Sequence, residues 1–419
     1  MKPSSQTLKV YKRRSLRRRV PVIPDEIVFD EILVRLPVKS LTRFKSVSKS
    51  WCAIISDPCF ARSHLQQSAK NQQNKKPSFL IAPHTLDTVI DGEAWPTTFS
   101  NHITFYSWEA GQNHACLMHS TTFHAEFGSV FGIVHCDGLV LLLTDTKLYV
   151  FNPAIHDVLR LCDGQEDVFR LPTASLGLDP RTNKYKIVRF FYRALNFSER
   201  TYSMGMEIFT IGGDDTDMCW RSITEDPPVP IEPGRVMHFE GYMYLLVWDK
   251  FVVERRPAQG VLRFDLQDET FSFISLPPKI LSSSEGEERR NFIGLGGELC
   301  LSQCVDDGKH VIWMLRRSGG DGHEWVRHRV IVFQQRMSYI TLSVIPKDVF
   351  LIRSGNFLYH YADTRQEATE LVSLDRLRYK NPRAGSTYDF VGREDLFNFN
   401  ILSYTESLLP VTKLSSTHV

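Results

Sequence analysis

Two hydrophobic rhythms divide this chain. Between Pro24 and Leu65, apolar residues recur at roughly helical spacing. Ile27, Ile32, Leu33 and Leu36 predict a first helix. Pro24 suits its first turn, where a missing N–H would be unpaired anyway. Asp25 and Glu26 place negative charge at the positive end of the helix dipole, and Pro37 stops the helix because the residue before a proline avoids helical dihedrals. A second helix is expected to open at Ser40 as N-cap. Leu41, Phe44, Val47, Trp51 and Ile54 form its apolar stripe, while Lys39, Arg43, Lys45 and Lys49 stay in water. Asp57-Pro58 repeats the cap-then-proline signal before a short third helix with Phe60 and Leu65. A unit this small cannot bury a convincing core alone, so its remaining apolar face calls for cover by another protein.

Beyond the polar run SAKNQQNKKP (Ser68–Pro77), which reads as a linker, the helical rhythm gives way to short β-rich segments between turn residues. A strand, a polar turn and a second strand recur at Ile103–Met118, Lys147–Leu161, Glu207–Ile223, Gly260–Leu276, Val311–Ile331 and Phe357–Leu374. Successive turns start about 44 to 60 residues apart, the spacing of propeller blades. A second signal lies upstream of several hairpins: Gly138, Gly241 and Gly297 each precede an apolar run and allow a tight turn before an inner strand. The expected architecture is an all-β, propeller-like domain of about six or seven irregular blades. Gly212-Gly213 and Gly319-Gly320 lie inside turns, unlike the glycines of a strict kelch array. Tyr388–Leu409 is expected to complete the ring or cover its edge.

Composition narrows the function. Apolar residues make up 42% and charged residues 23% of 419, ordinary for a globular chain. Residues 1–22 hold eight Lys or Arg and no acid, so the net +2 conceals a remainder near −6. The basic clusters Lys12-Arg13-Arg14 and Arg17-Arg18-Arg19 suggest a solvated arm or a nuclear-import signal, and therefore nuclear or cytoplasmic residence. The acidic body argues against nucleic acid as its main ligand. No stretch has the apolar core of a secretory leader or the length of a membrane span. Eight scattered cysteines read as reduced thiols, and the Asn196-Phe197-Ser198 sequon means little without secretion. Cys300 and Cys304 share one strand face but supply only half of a zinc site. His102, His114, His119, His124 and His135 have no metal-binding spacing, and Asp214, Asp215 and Asp217 lack the ordered ligands of a calcium loop. No phosphate loop, dinucleotide fingerprint or nucleophile elbow is present. No catalytic residue, metal or cofactor is therefore assigned.

The helical segment carries Ile23-Pro24-Asp25-Glu26, Glu31-Ile32-Leu33, Arg35-Leu36-Pro37-Val38-Lys39-Ser40-Leu41, Arg43-Phe44, Val47-Ser48-Lys49-Ser50-Trp51 and Ile55-Ser56-Asp57-Pro58 followed by Phe60. In that order these resemble an F-box, most of all that of plant F-box proteins with an F-box-associated or kelch-like C-terminal region. Ile23 stands where the family usually has Leu, and Ser48 where Cys is also common. The resemblance implies a multidomain chain: a basic arm (1–20), a small all-α F-box (21–67), a linker (68–77), the β domain (78–410) and a tail (411–419). It also implies a non-catalytic, substrate-recognition subunit of a Skp adaptor–cullin–F-box ubiquitin ligase. By position, the residues that would dock on the Skp-family adaptor, and through it cullin, are Pro24, Ile27, Ile32, Leu33, Leu36, Pro37, Val38, Leu41, Phe44, Val47 and Trp51. Some of these also serve an internal core; Leu36, Pro37, Val38 and Leu41 are the expected partner surface. The β domain would hold an unidentified target protein through loops on one face, with Trp95, Trp108, Trp220, Trp248 and Trp325 as candidate anchors, unless they pack between blades. Two alternatives remain: a scaffold or decoy that binds the adaptor outside the ligase, and a propeller enzyme.

Overall fold

The run Leu139–Thr144 (LVLLLT) buries all six residues. Side chains alternate across a strand, so such a run is stable only if both faces are covered. Leu139, Leu141 and Leu143 enter one apolar cluster, and Val140 and Leu142 enter another. The same division recurs at Met243/Leu245 against Tyr244/Leu246 and at Phe350/Ile352 against Leu351. Each sheet is thus a blade between two neighbours.

The computed structural model describes residues 27–73, 77–93, 95–212, 219–223, 225–251, 260–277, 290–295, 297–306, 309–317, 323–332, 339–345, 349–362 and 367–412. Three helices, α1 (Val38–Phe44), α2 (Lys49–Ile55) and α3 (Pro58–Gln73), follow helical turns at Ile27–Arg35. Among the described residues the strands then form six sheets. Blade 1 begins with β1 (Ser78–Thr85), β2 (His102–Glu109) and β3 (His114–Thr122). Blade 2 is β4 (Val130–Cys136), β5 (Leu139–Thr144), β6 (Leu148–Asn152) and β7 (Asp157–Arg160). Blade 3 is β8 (Thr173–Leu178), β9 (Tyr185–Asn196), β10 (Thr201–Thr210) and β11 (Arg221–Ser222). Blade 4 is β12 (Ile231–Phe239), β13 (Tyr242–Val247), β14 (Gly260–Asp265) and β15 (Phe271–Ser275). Blade 5 is β16 (Arg290–Leu295), β17 (Glu298–Asp306), β18 (Lys309–Arg317) and β19 (His323–Val332). Blade 6 is β20 (Tyr339–Ile345), β21 (Val349–Ser354), β22 (Phe357–Ala362) and β23 (Glu367–Ser373).

The chain then returns to blade 1. β24 (Arg378–Asn381) lies parallel beside β3, with β25 (Ser386–Tyr388) outside it, while β26 (Leu396–Ser403) pairs antiparallel with β1. β26 therefore supplies the inner strand that blade 1 lacked. The inner strands touch in a closed cycle, β26 to β4, β8, β12, β16, β20 and back to β26. The expected six or seven blades resolve as six; within the expected Tyr388–Leu409, β26 closes the ring, while the edge of blade 1 is covered by β24 and β25, which precede it. All six hairpins read from the sequence fall on the outer strand pairs of the blades.

The predicted glycine turns are two-residue hairpin loops between the first and second strands of a blade, so the strand after each glycine is second from the axis. Asp137 and Gly138 both have positive φ (51° and 86°), as do Glu240 and Gly241 (45° and 81°), the backbone such a loop requires. A histidine three residues before the glycine completes each turn. His135 Nε2 accepts the Gly138 N–H at 2.9 Å, and His238 Nε2 accepts the Gly241 N–H at 3.2 Å.

Burial lowers the pKa of His84, His119, His135, His238 and His310 to about 4 each. An unfolded histidine takes up a proton near pH 6.5. Between those values the unfolded chain binds more protons, so these residues make stability fall as pH drops from about 6.5 towards 4. Asp137, Asp167 and Glu406, whose pKa burial raises, act in the opposite sense. The urea midpoint should be lower at pH 5 than at pH 7.5. In a His135→Asn/His238→Asn variant the shift should shrink, because an amide oxygen can still accept the glycine N–H but does not titrate.

Candidate docking surfaces

The helical unit follows its predicted caps in part. Asp57 Oδ1 accepts the N–H groups of Cys59 (2.7 Å) and Phe60 (3.3 Å) and starts α3 as expected. The second predicted helix is two. Ser40 lies inside α1, and Ser48 is the cap of α2, accepting the Trp51 N–H at 3.1 Å. Ser48 competes for backbone donors as an N-cap does, which breaks the expected stripe at Lys45–Val47. α3 continues to Gln73 and so absorbs Ser68–Gln73 of the expected linker; its Gln, Ala and Lys residues are good helix formers. Trp51 holds the unit together, edge-on to Phe29 (6.0 Å) and Phe44 (5.7 Å).

The eleven expected docking residues separate by exposure. Leu33, Val38 and Leu41 are buried, and Leu36, Phe44 and Trp51 half-buried. Ile27 (47%), Ile32 (41%) and Val47 (58%) are exposed, as is Pro37; Pro24 lies outside the described residues. Beside them runs a groove of about 600 Å³ lined by residues that include Phe29, Val34, Ile54 and Phe60. Val38 and Leu41, two of the residues expected to face a partner, are covered by the chain itself. They belong to an apolar cluster that continues through Leu408, Leu409 and Val411 into blade 2.

That joint is polar as well as apolar. Asn152 is fully buried, and its Nδ2 donates to the carbonyls of Ser407 (3.0 Å) and Leu409 (2.8 Å). Asp157 accepts the N–H groups of Val411 (2.8 Å) and Thr412 (3.1 Å). Glu406 lies at the first turn of α1: burial raises its pKa, while the Val38 N–H and the Lys39 charge favour its ionised form. The C-terminal segment is therefore a wedge pinned to blade 2 that also meets the first turn of α1 in the F-box-like unit. The sequence alone gives no sign of Glu406. Asn152, followed by Pro153, reads only as a turn residue.

The two faces of the ring differ. The helical unit lies on the face of the β4–β5 and β6–β7 turns, since α3 leads into the start of β1 and Ser407 sits against Gly138. The opposite face carries the β1–β2 loop, the β5–β6 turn and the blade-to-blade connections, which bond to one another at Phe99 N–H to Gly128 O (2.9 Å) and Gly128 N–H to Asp145 (3.2 Å). It includes a cleft of about 660 Å³ between blades 2 and 3, flanked by Lys147, Asp163, Arg170 and Arg189. Of the five candidate tryptophans, Trp108 and Trp325 are buried between blades. Trp220 donates to the Cys162 carbonyl (2.9 Å), and Trp248 packs on Phe169, Tyr192 and Phe251. Trp95 is the exposed one, at 40%.

Cys300 is buried, and burial pushes its thiol up to about 12; the Cys304 side chain and Asp214, Asp215 and Asp217 lie outside the described residues. Among the described residues no group of three or more His, Cys, Asp or Glu is placed to hold a metal, and no helix is long and apolar enough to cross a membrane.

An F-box domain family matches residues 23–63, and the F-box associated beta propeller domain family matches residues 96–374. The chain belongs to this family of F-box proteins with a β-propeller. An F-box protein of Arabidopsis thaliana is 25% identical over 385 residues, covering 82% of this chain and 79% of the relative. An F-box/kelch-repeat protein of the same plant is 29% identical over 317 residues, covering 72% and 73%. Among solved structures, the β-propeller domain of Myceliophteria thermophila Cps50 (Swd1) aligns at TM-score 0.39 and 8% identity over 69% of this chain and 89% of that one, too distant to carry an argument. F-box proteins with a propeller are in general non-catalytic receptors, and the F-box is in general a module that binds a Skp-type adaptor.

Replacing Asn152 by Ala should cost about 1–3 kcal/mol, because two buried carbonyls lose their donor. Hydrogen exchange at residues 407–412 and at the first turn of α1 should accelerate together; exchange confined to blade 2 would mean that the wedge does not couple the two units.

Proposed function

We propose that this protein is the target-recognition subunit of a Skp adaptor–cullin–F-box ubiquitin ligase. The carrying observation is the F-box, which leaves Ile27, Ile32, Pro37 and Val47 outside its own core while its inner face is keyed to the propeller. Exposed apolar side chains in so short a segment suit an interface with an adaptor. The inner face cannot serve the adaptor, because Leu408, Leu409 and Val411 occupy it. Binding the adaptor on one side and a target on the distal propeller face raises the effective concentration of target lysines near the ubiquitin-charged enzyme. A fixed joint between F-box and propeller adds orientation. Ubiquitin transfer itself is left to other subunits.

The test is co-purification of the full chain with a Skp-family adaptor and cullin. Wild type should capture both. Ile32→Asp/Val47→Asp should lose the adaptor by at least about thirtyfold, as expected for central interface residues worth about 2 kcal/mol or more. Leu41→Ala should act through stability instead, lowering the unfolding midpoint. Capture of adaptor without cullin would favour the decoy reading, and failure to capture adaptor would overturn both.

A further inference from the structure

The distal face carries an aromatic cradle at the inner edge of blades 1 and 2. Trp95 stacks on Phe131 with ring planes 1° apart and centroids at 5.7 Å, and meets Phe397 edge-on at 5.2 Å. Phe99 lies beneath, 2% exposed, against both Trp95 and Phe397. Trp95 and Phe397 remain 40% and 36% exposed, so the cluster is not a closed core.

Both phenylalanines are placed by β-bulges. On β4, Val130 pairs with Thr144 and Gly132 with Leu143, which leaves Phe131 as the extra residue. On β26, Leu396 pairs with Thr85 and Asn398 with His84, which leaves Phe397. β26 and β4 are neighbouring inner strands, so two bulges aim two rings at one indole. A bulge costs ladder hydrogen bonds and redirects a side chain. Hydrogen bonds tie down the chain around Trp95: Asp87 N–H donates to Thr98 O (2.8 Å), and Glu93 accepts the Thr97 N–H (3.2 Å) and hydroxyl (3.0 Å).

Charge around the cradle identifies the occupant. The loop Leu86–Asn101 carries Asp87, Asp91 and Glu93 and no Lys or Arg. Arg393 and Arg160 are paired with Asp395 and Glu126, while the half-buried Arg353 is turned to Asn398 Oδ1 at 2.6 Å and keeps its charge. An exposed indole with an acidic rim is a site for a cation over a ring face. A planar guanidinium stacks there better than an ammonium. We infer that the Trp95–Phe131–Phe397 cradle is a recognition pocket for an arginine side chain on an extended segment of the target protein. This rests on the receptor reading and names the chemistry of the target.

The experiment uses the full chain in complex with its adaptor and three fluorescein-labelled peptides: alternating Gly-Arg, the same peptide with citrulline for arginine, and alternating Gly-Glu. Fluorescence anisotropy should show the arginine peptide bound, the citrulline peptide weakened at least tenfold and the glutamate peptide unbound. Trp95→Ala and Phe397→Ala should each weaken arginine-peptide binding at least fivefold, while Trp95→Phe, which keeps a ring, retains most of it. Unfolding midpoints and adaptor capture are measured for every variant. Arginine-peptide binding unchanged in Trp95→Ala, or no binding by wild type, overturns the cradle while adaptor capture leaves the receptor reading standing. Loss of adaptor capture in wild type overturns the receptor reading, with the peptide result still deciding the cradle.

Discussion

The pairing of β26 with β1 is the constraint on which the rest of this structure depends. It runs from Phe79↔Ser403 to Thr85↔Leu396 and supplies blade 1 with its inner strand. An open ring would expose one blade face on each side of the gap, and with it the clusters around Phe79, Ile81, Phe399 and Ile401. Each interblade core requires two blades, so closure converts six marginal sheets into one cooperative body.

Closure has a second effect, because it decides where the chain goes next. After Ser403 the backbone crosses the face of blade 2, where Asn152 and Asp157 hold it. From there Glu406 reaches the start of α1, and Leu408, Leu409 and Val411 fill the space under Val38 and Leu41. The strand that locks the propeller is thus continuous with the wedge that seats the F-box. The interdomain joint inherits its order from the ring, and the F-box keeps only its outer side free.

The two ends of the blades consequently divide the labour. Short two-residue loops, stiffened by His135 and His238, line the face next to the F-box. The opposite face carries the long β1–β2 loop, Leu86–Asn101, and bears the charged cleft and the Trp95 cradle. Binding surfaces concentrate where loops can vary without disturbing a rigid scaffold. Here even the inner strands contribute, since the bulges at Phe131 and Phe397 open their edges towards that face.

Local chemistry was enough to read much of this molecule. The six outer hairpins, the glycine loops at Gly138, Gly241 and Gly297, and the Asp57 cap each follow from residue types acting on their own backbone. The F-box was legible because helix signals and motif occupy one contiguous stretch. What remained hidden depends on contacts distant along the chain. The Ser48 break shows a local competition that periodicity alone misjudged. Whether Val38 and Leu41 face a partner or the chain's own interior depends on residues about 370 positions away. The burial of Trp108 and Trp325, and the exposure of Trp95, follow from which blade lies alongside. A bulge has no signature in one strand, because the extra residue exists only relative to a partner's register. By itself the sequence determined most of the elements, the fold class and the family; only the tertiary structure decided the blade count, the covered side of the F-box and the exposed aromatic surface, because those are properties of ring closure.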